Sequence, residues 1–116
     1  PDLPGLDAVP FYTSDSIWEM KELPRRFLVL GGGPIGCELA QAFAELGSDV
    51  SLVQRGARLM KREDPEVSNL IKERFESRGI RVLTHHGAKA VVVEGNTRYL
   101  LCTRGEKEKK IVFFTL

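Results

Sequence analysis

The sequence predicts an α/β chain in three layers: a central parallel sheet, helices against it, and an antiparallel three-strand β-meander. Two observations predict this. Between residues 27 and 84, short apolar runs alternate with stretches of helical periodicity, the β-α-β-α-β rhythm that builds a parallel sheet. From residue 88 onward the runs are short, close together and joined by turn residues, which is the pattern of hairpins.

Each element has its own signal. Residues 1–13 are proline-rich and read as extended. Ser14 is expected to cap a short helix running through Glu19, with Trp18 as its apolar anchor, and Leu23-Pro24 ends that stretch. Phe27-Leu28-Val29-Leu30 is continuously apolar, as suits a parallel strand covered on both faces. Gly31 to Gly33 breaks the run, and Pro34 fits the first position of a helix, where its missing N–H costs nothing. That helix is expected to run to about Leu46, with Gly47 closing it. Its polar residues are Glu38, Gln41 and Glu45, and the rest is small or apolar, so nearly the whole helix is expected to be packed.

Val50 to Val53 is the second strand, and a basic loop follows from Arg55 to Arg62. Asp64-Pro65 starts a second helix, with Asp64 as its cap, Val67, Leu70, Ile71 and Phe75 as its apolar stripe, and Gly79 at its end. Arg81 to Thr84 is the third strand. Ala88–Val93 and Thr97–Cys102 pair around Gly95-Asn96, and Lys110–Leu116 is a further strand beyond a charged turn.

Composition narrows the function. A chain of 116 residues builds one core. A net charge of +1 gives no argument for nucleic acid or for an acidic membrane surface as partner. No apolar run approaches the ~20 residues of a membrane span, and no secretory signal is present. Cys37 and Cys102 lie far apart without CxxC spacing, which fits neither a disulfide scaffold nor a zinc site. A reducing, cytoplasmic setting is the expectation, with both cysteines acting as small hydrophobes. His85 and His86 are adjacent, so an extended backbone sends them to opposite faces, and a loop role is expected for them. Both ends read as cuts within a longer polypeptide. An apolar terminal strand with Phe113 and Phe114 partly exposed would favour dimers through its edge.

The chemistry concentrates in Gly31-Gly32-Gly33-Pro34-Ile35-Gly36, a G-x-G-x-x-G that leaves an apolar strand and opens a helix. In a Rossmann-like fold Gly31 permits the tight turn, Gly33 lets the backbone approach a pyrophosphate, and Gly36 lets the helix pack close. The helix N-terminus then offers N–H groups and a partial positive charge to the phosphates. A plain glycine turn is the alternative. The next diagnostic position, at the end of the second strand, ordinarily carries an Asp or Glu for a ribose hydroxyl. Here it is Gln54, followed by Arg55, Arg58, Lys61 and Arg62. Arginine pairs with a 2′-phosphate that a carboxylate would repel, so the pattern favours NADP over NAD. The alternative is a solvated basic loop.

Residues 31–48, GGGPIGCELAQAFAELGS, resemble the pyridine-nucleotide domain of the pyridine nucleotide-disulfide oxidoreductases, which include lipoamide dehydrogenase, glutathione reductase and mercuric reductase. Glu38–Gly47, Arg55 and Arg62-Glu63-Asp64-Pro65 look most similar to mercuric reductase, and Leu3-Pro4-Gly5-Leu6 resembles the exit from an FAD domain. The resemblance implies that residues 1–24 are a linker and short helix from a preceding FAD domain, and that residues 25–116 are an NAD(P)-binding domain. It further implies a homodimeric, FAD-dependent parent enzyme that passes hydride from NADPH or NADH to FAD, and on to a disulfide or metal substrate. The implied cofactor-binding residues are Gly31, Gly33, Pro34, Ile35, Gly36, Glu38, Gln54, Arg55, Arg58 and Lys61, with Glu38 near the nicotinamide and flavin. No catalytic or metal-ligating residue is implied within the chain. The redox-active cysteine pair, the FAD site and the dimerisation domain with its histidine belong elsewhere in such an enzyme, so this stretch alone is expected to be inactive. Gln54 departs from the Glu of NAD-using lipoamide dehydrogenases. The Ala-Thr-Gly close of the domain is not reproduced, which suggests a truncated last parallel strand. An NADH-using parent similar to lipoamide dehydrogenase and a non-catalytic nucleotide-binding module remain the alternatives.

Overall fold

A computed structural model describes residues 3–9, 11–13, 16–60 and 62–113, with backbone alone at Trp18, Val112 and Phe113. Ser14, Lys61 and Phe114 therefore lie outside the described residues. Three parallel strands, β1 (Arg26–Leu30), β2 (Asp49–Val53) and β3 (Arg81–Leu83), form one sheet in the order β1-β2-β3. Helix α1 (Pro34–Glu45) connects the first two, and α2 (Pro65–Ser77) connects the second to the third. Strands β4 (Gly87–Glu94), β5 (Thr97–Arg104) and β6 (Lys107–Phe113) make a separate antiparallel meander. The expected three layers are present.

Strand alternation explains how the layers hold together. Successive side chains of a strand leave on opposite faces. Phe27, Val29, Val50, Leu52 and Val82 face the helices and join Cys37, Ala40 and Phe75 in one buried cluster. Leu28 and Val53 face the other way and pack with Val91, Leu100, Cys102 and Ile111 of the meander. The N-terminal segment contributes to both clusters, Leu6 and Val9 on the meander side and Ile17 on the helix side.

The structure corrects several expectations. The helix near the N-terminus is a single 3-10 turn, Ile17–Glu19, with Ile17 buried; the expected cap, Ser14, and the side chain of Trp18 lie outside what is described. The helix α1 is not packed nearly all round: Ile35 is exposed, and Leu46, just past its end, is 65% exposed. In α2 the expected stripe splits, with Phe75 buried while Val67 and Leu70 remain exposed. A three-strand sheet covers one side of each helix, so apolar residues turned from it find no partner within these residues. Strand β6 begins at Lys107 rather than Lys110 because the turn is only Gly105-Glu106, with Gly105 at φ 63. The lysines expected in a charged turn therefore lie on an edge strand.

The two cysteines are free and buried, as the sequence suggested. Burial pushes the Cys37 thiol up to about 11. His85 and His86 sit in the β3–β4 turn rather than in an extended run; His85 takes the left-handed region at φ 60, and His86 is buried with Nδ1 2.7 Å from the Thr84 carbonyl. Among the described residues no helix is long and apolar enough to cross a membrane, and no group of side chains has the makings of a metal site.

Candidate functional site

The glycine loop leaves β1 where the sheet ends. Gly31 takes φ 108, a region L side chains avoid, and its N–H still donates to the Val53 carbonyl at 2.8 Å. The chain then enters α1 through Gly33 and Pro34, and the Gly33 carbonyl accepts the first helical bond, from Cys37 N–H at 3.0 Å. Gly36 is forced by close approach: a Cβ there would stand 2.1 Å from the Gly31 carbonyl oxygen.

Gly33 is different. Its backbone is extended (φ −78, ψ −174), which any residue adopts, and a Cβ there would meet nothing within 4 Å. Nothing in the described chain requires glycine at this point. Among the described residues no side chain caps α1 either, so none of them takes up the N–H groups of its first turn. The loop also forms one wall of a cleft of about 510 Å³, a size that suits a bound small molecule. Leu30, Gly33, Pro34 and Ile35 line it at this end, and Phe11 and Leu39 further along.

The basic loop is held beside the glycine loop by backbone ties. Met60 N–H donates to the Gly32 carbonyl at 2.7 Å. On its other side, His85 N–H donates to the Gly56 carbonyl at 2.9 Å, and His86 N–H to that of Gln54 at 3.1 Å. Met60 and His85, which donate two of these bonds, are the non-glycine residues with positive φ among those described. Such backbone persists only where the surroundings impose it. Leu59 fills the space under the loop and is 1% exposed. The sequence offered no signal for Leu59, Met60 or the histidine backbones, because burial in the assembled fold sets the role of the first and main-chain bonds between distant segments set those of the others.

The residues expected to bind cofactor fall into two groups. Gly31, Gly33, Pro34, Ile35 and Gly36 gather on one edge of the cleft. Gln54, Arg55 and Arg58 gather on the neighbouring loop, with Arg55 exposed, Arg58 half-buried and the Arg55 Nε lying 3.8 Å from where a Cβ on Gly87 would be. Gln54 turns inward: its Oε1 accepts from Gly32 N–H at 2.9 Å and its Nε2 reaches the Arg58 carbonyl at 3.4 Å. Glu38 is exposed and borders a smaller cleft between α1 and α2, near Gln41 and Arg74, rather than the cleft at the strand end.

Comparison with known proteins gives the family. The family model described as pyridine nucleotide-disulphide oxidoreductase matches residues 1–115. Mercuric reductase of Bacillus cereus is 43% identical over 98 residues, covering 84% of this chain and 16% of that protein. The chain thus spans about a sixth of that relative's length. The HOCl-induced flavoprotein disulfide reductase RclA of Escherichia coli superposes with a TM-score of 0.86 at 26% identity, over 100% of this chain and 26% of that one. An engineered water-forming NADPH oxidase bound to NADPH, derived from the NADH oxidase of Lactobacillus brevis, superposes with a TM-score of 0.76 at 25% identity, over 88% of this chain and 24% of that one. A glycine loop opening an uncapped helix, a parallel sheet backed by a meander, and a family match along nearly the whole sequence agree: the chain belongs to the pyridine nucleotide-disulphide oxidoreductase family.

Proposed function

We propose that this chain binds NADPH as the pyridine-nucleotide domain of an FAD-dependent reductase. The observation that carries the reading is Gly33. Among the described residues its glycine answers no demand of backbone or packing, and it lies at the mouth of a helix whose N-terminus no described side chain closes. A pyrophosphate laid over Gly33 accepts the unpaired N–H groups and meets the positive end of α1. A side chain there would stand in its way.

The division of labour follows from position. Gly31 and Gly36 set the loop, while Gly33, Pro34 and Ile35 border the phosphates. Arg55 and Arg58, with Lys61 beyond the described residues, take the 2′-phosphate. Gln54 stands where a ribose-binding carboxylate would discriminate in favour of NAD. The engineered NADPH oxidase supports this assignment by analogy: relative to its NADH-using parent it has lost an aspartate and gained two arginines. Glu38 borders the α1–α2 cleft instead of the glycine-loop cleft, and its assignment to the nicotinamide side rests on the family resemblance. When bound, the nicotinamide supplies hydride, and the chain's part is to hold and orient it. The flavin, the electron acceptor beyond it and the partner subunit belong to the rest of the enzyme, so the isolated domain is expected to bind without turnover.

Calorimetric titration with NADPH and NADH tests this. NADPH is expected to bind more tightly, and Arg55→Glu to weaken it by about 100-fold, as befits losing a charge-assisted phosphate contact and gaining a repulsive one. Equal or tighter binding of NADH would overturn the 2′-phosphate assignment and move the parent toward enzymes similar to lipoamide dehydrogenase.

A further inference from the structure

At the end of β2 an acceptor for ribose hydroxyls must point outward and keep its oxygen available. Gln54 does neither. Its Oε1 is taken by Gly32 N–H at 2.9 Å, and its Nε2 lies 3.4 Å from the Arg58 carbonyl. The amide is also wedged between two glycines. A Cβ on Gly32 would come within 3.3 Å of the Gln54 Cδ, and one on Gly56 within 3.3 Å of its Nε2. One side chain thus connects the loop that faces the pyrophosphate to the loop that carries Arg55 and Arg58.

We propose that Gln54 is a positioning residue for cofactor selectivity: an internal brace that holds the arginine loop against the glycine loop and so favours a dinucleotide bearing a 2′-phosphate. This rests on the function proposed above. The physical argument is preorganisation. Ordering a basic loop on binding costs free energy, and a loop already fixed in place avoids that cost. The glycine loop that both cofactors share is also held by Gly31 N–H on the Val53 carbonyl and Met60 N–H on the Gly32 carbonyl, so the brace matters most to a ligand that leans on the arginine loop, as NADPH does through its 2′-phosphate. Gln is suited to the role where Glu is not, because a carboxylate can still accept from Gly32 N–H but has no donor for the Arg58 carbonyl. It would also set a negative charge beside the incoming phosphate.

The test uses the intact protein with Gln54→Met, which keeps length and volume without hydrogen bonds, and Gln54→Glu, which keeps one bond of the two. NADPH and NADH affinities are measured for each, with hydrogen exchange of the peptide containing Gly32. Gln54→Met is expected to weaken NADPH about tenfold, the scale of losing one or two backbone-directed hydrogen bonds, while changing NADH less than about twofold. Gln54→Glu is expected to weaken NADPH further without improving NADH. Equal weakening of both cofactors by Gln54→Met would reduce Gln54 to a general structural support. Tighter NADH binding by Gln54→Glu would show an outward ribose contact instead of a brace. If the unmodified protein does not prefer NADPH, the 2′-phosphate reading fails separately. Exchange at Gly32 then decides the brace itself: acceleration in Gln54→Met upholds it, and unchanged exchange overturns it.

Discussion

Helices α1 and α2 both begin with proline in the first helical position, and each follows a strand of the same parallel sheet. They differ in the residue before that proline. In α2 it is Asp64, whose Oδ1 accepts from Glu66 N–H at 2.8 Å and closes the helix from within. In α1 it is Gly33, which offers no side chain, and no other described residue caps the terminus. A capped terminus is a structural part, complete without a partner. An uncapped one, at the edge of a cleft and beside a basic loop, leaves its N–H groups to an external acceptor, the part proposed above for a pyrophosphate. On the proposed function, the difference between a connector and a binding element comes to one side chain.

The sharpest way to break the comparison is to give α1 the cap of α2. Gly33→Asp meets no neighbour within 4 Å and keeps an ordinary backbone, so the fold is expected to persist, with stability changed by no more than a few tenths of a kcal/mol. The new carboxylate would take the N–H groups meant for phosphate and repel it. NADPH affinity is expected to fall by about 100-fold or more. Undiminished calorimetric binding would mean that the open terminus is not the phosphate site. The reverse change is smaller and of the other kind. Asp64→Ala is expected to cost about 1 kcal/mol in chemical denaturation and to leave cofactor affinity unchanged. A loss of affinity would show that α2 is part of the site after all.

The smallest expected effect comes from beneath the α1 terminus. Cys37 is buried and its Sγ lies 3.4 Å from the Gly32 carbonyl. Its thiol is held at about 11 against 9.0 for an ordinary one, because burial disfavours the thiolate. The folded state therefore binds this proton more tightly than the unfolded state. The contribution is fully present below pH 9 and is lost as pH rises through about 11, so stability should decline across that window. Alkylation of Cys37 at pH 8 should be slow in the folded protein and fast on unfolding. Rapid labelling of the folded protein, or a thermal midpoint that does not respond to pH above 9, would contradict this.

Much of this was legible in the sequence because it is local. The G-x-G-x-x-G string after four apolar residues, the Asp64-Pro65 start and the Gly95-Asn96 hairpin each specify backbone within a few positions, and the structure has the element that each implied. The exposed faces of α1 and α2 were not legible. Periodicity marks Val67 and Leu70 as apolar, but whether they are covered depends on how many strands lie beneath them. The start of β6 was missed because its charged residues read as a turn, although an edge strand tolerates lysine well.

The candidate site divides along the same line. The glycine loop, its strand-turn-helix setting and the excess of arginine after β2 could be read from residue order, since each follows from residue type and short-range geometry. What Gln54 does with its amide, the tie of Met60 and His85 to the basic loop in strained backbone, and the place of Glu38 beside the α1–α2 cleft came only with the folded chain. The first two outcomes depend on hydrogen bonds between segments more than twenty residues apart, where the choice of partner is set by which backbone groups the fold brings together, and the third on how α1 lies beside α2.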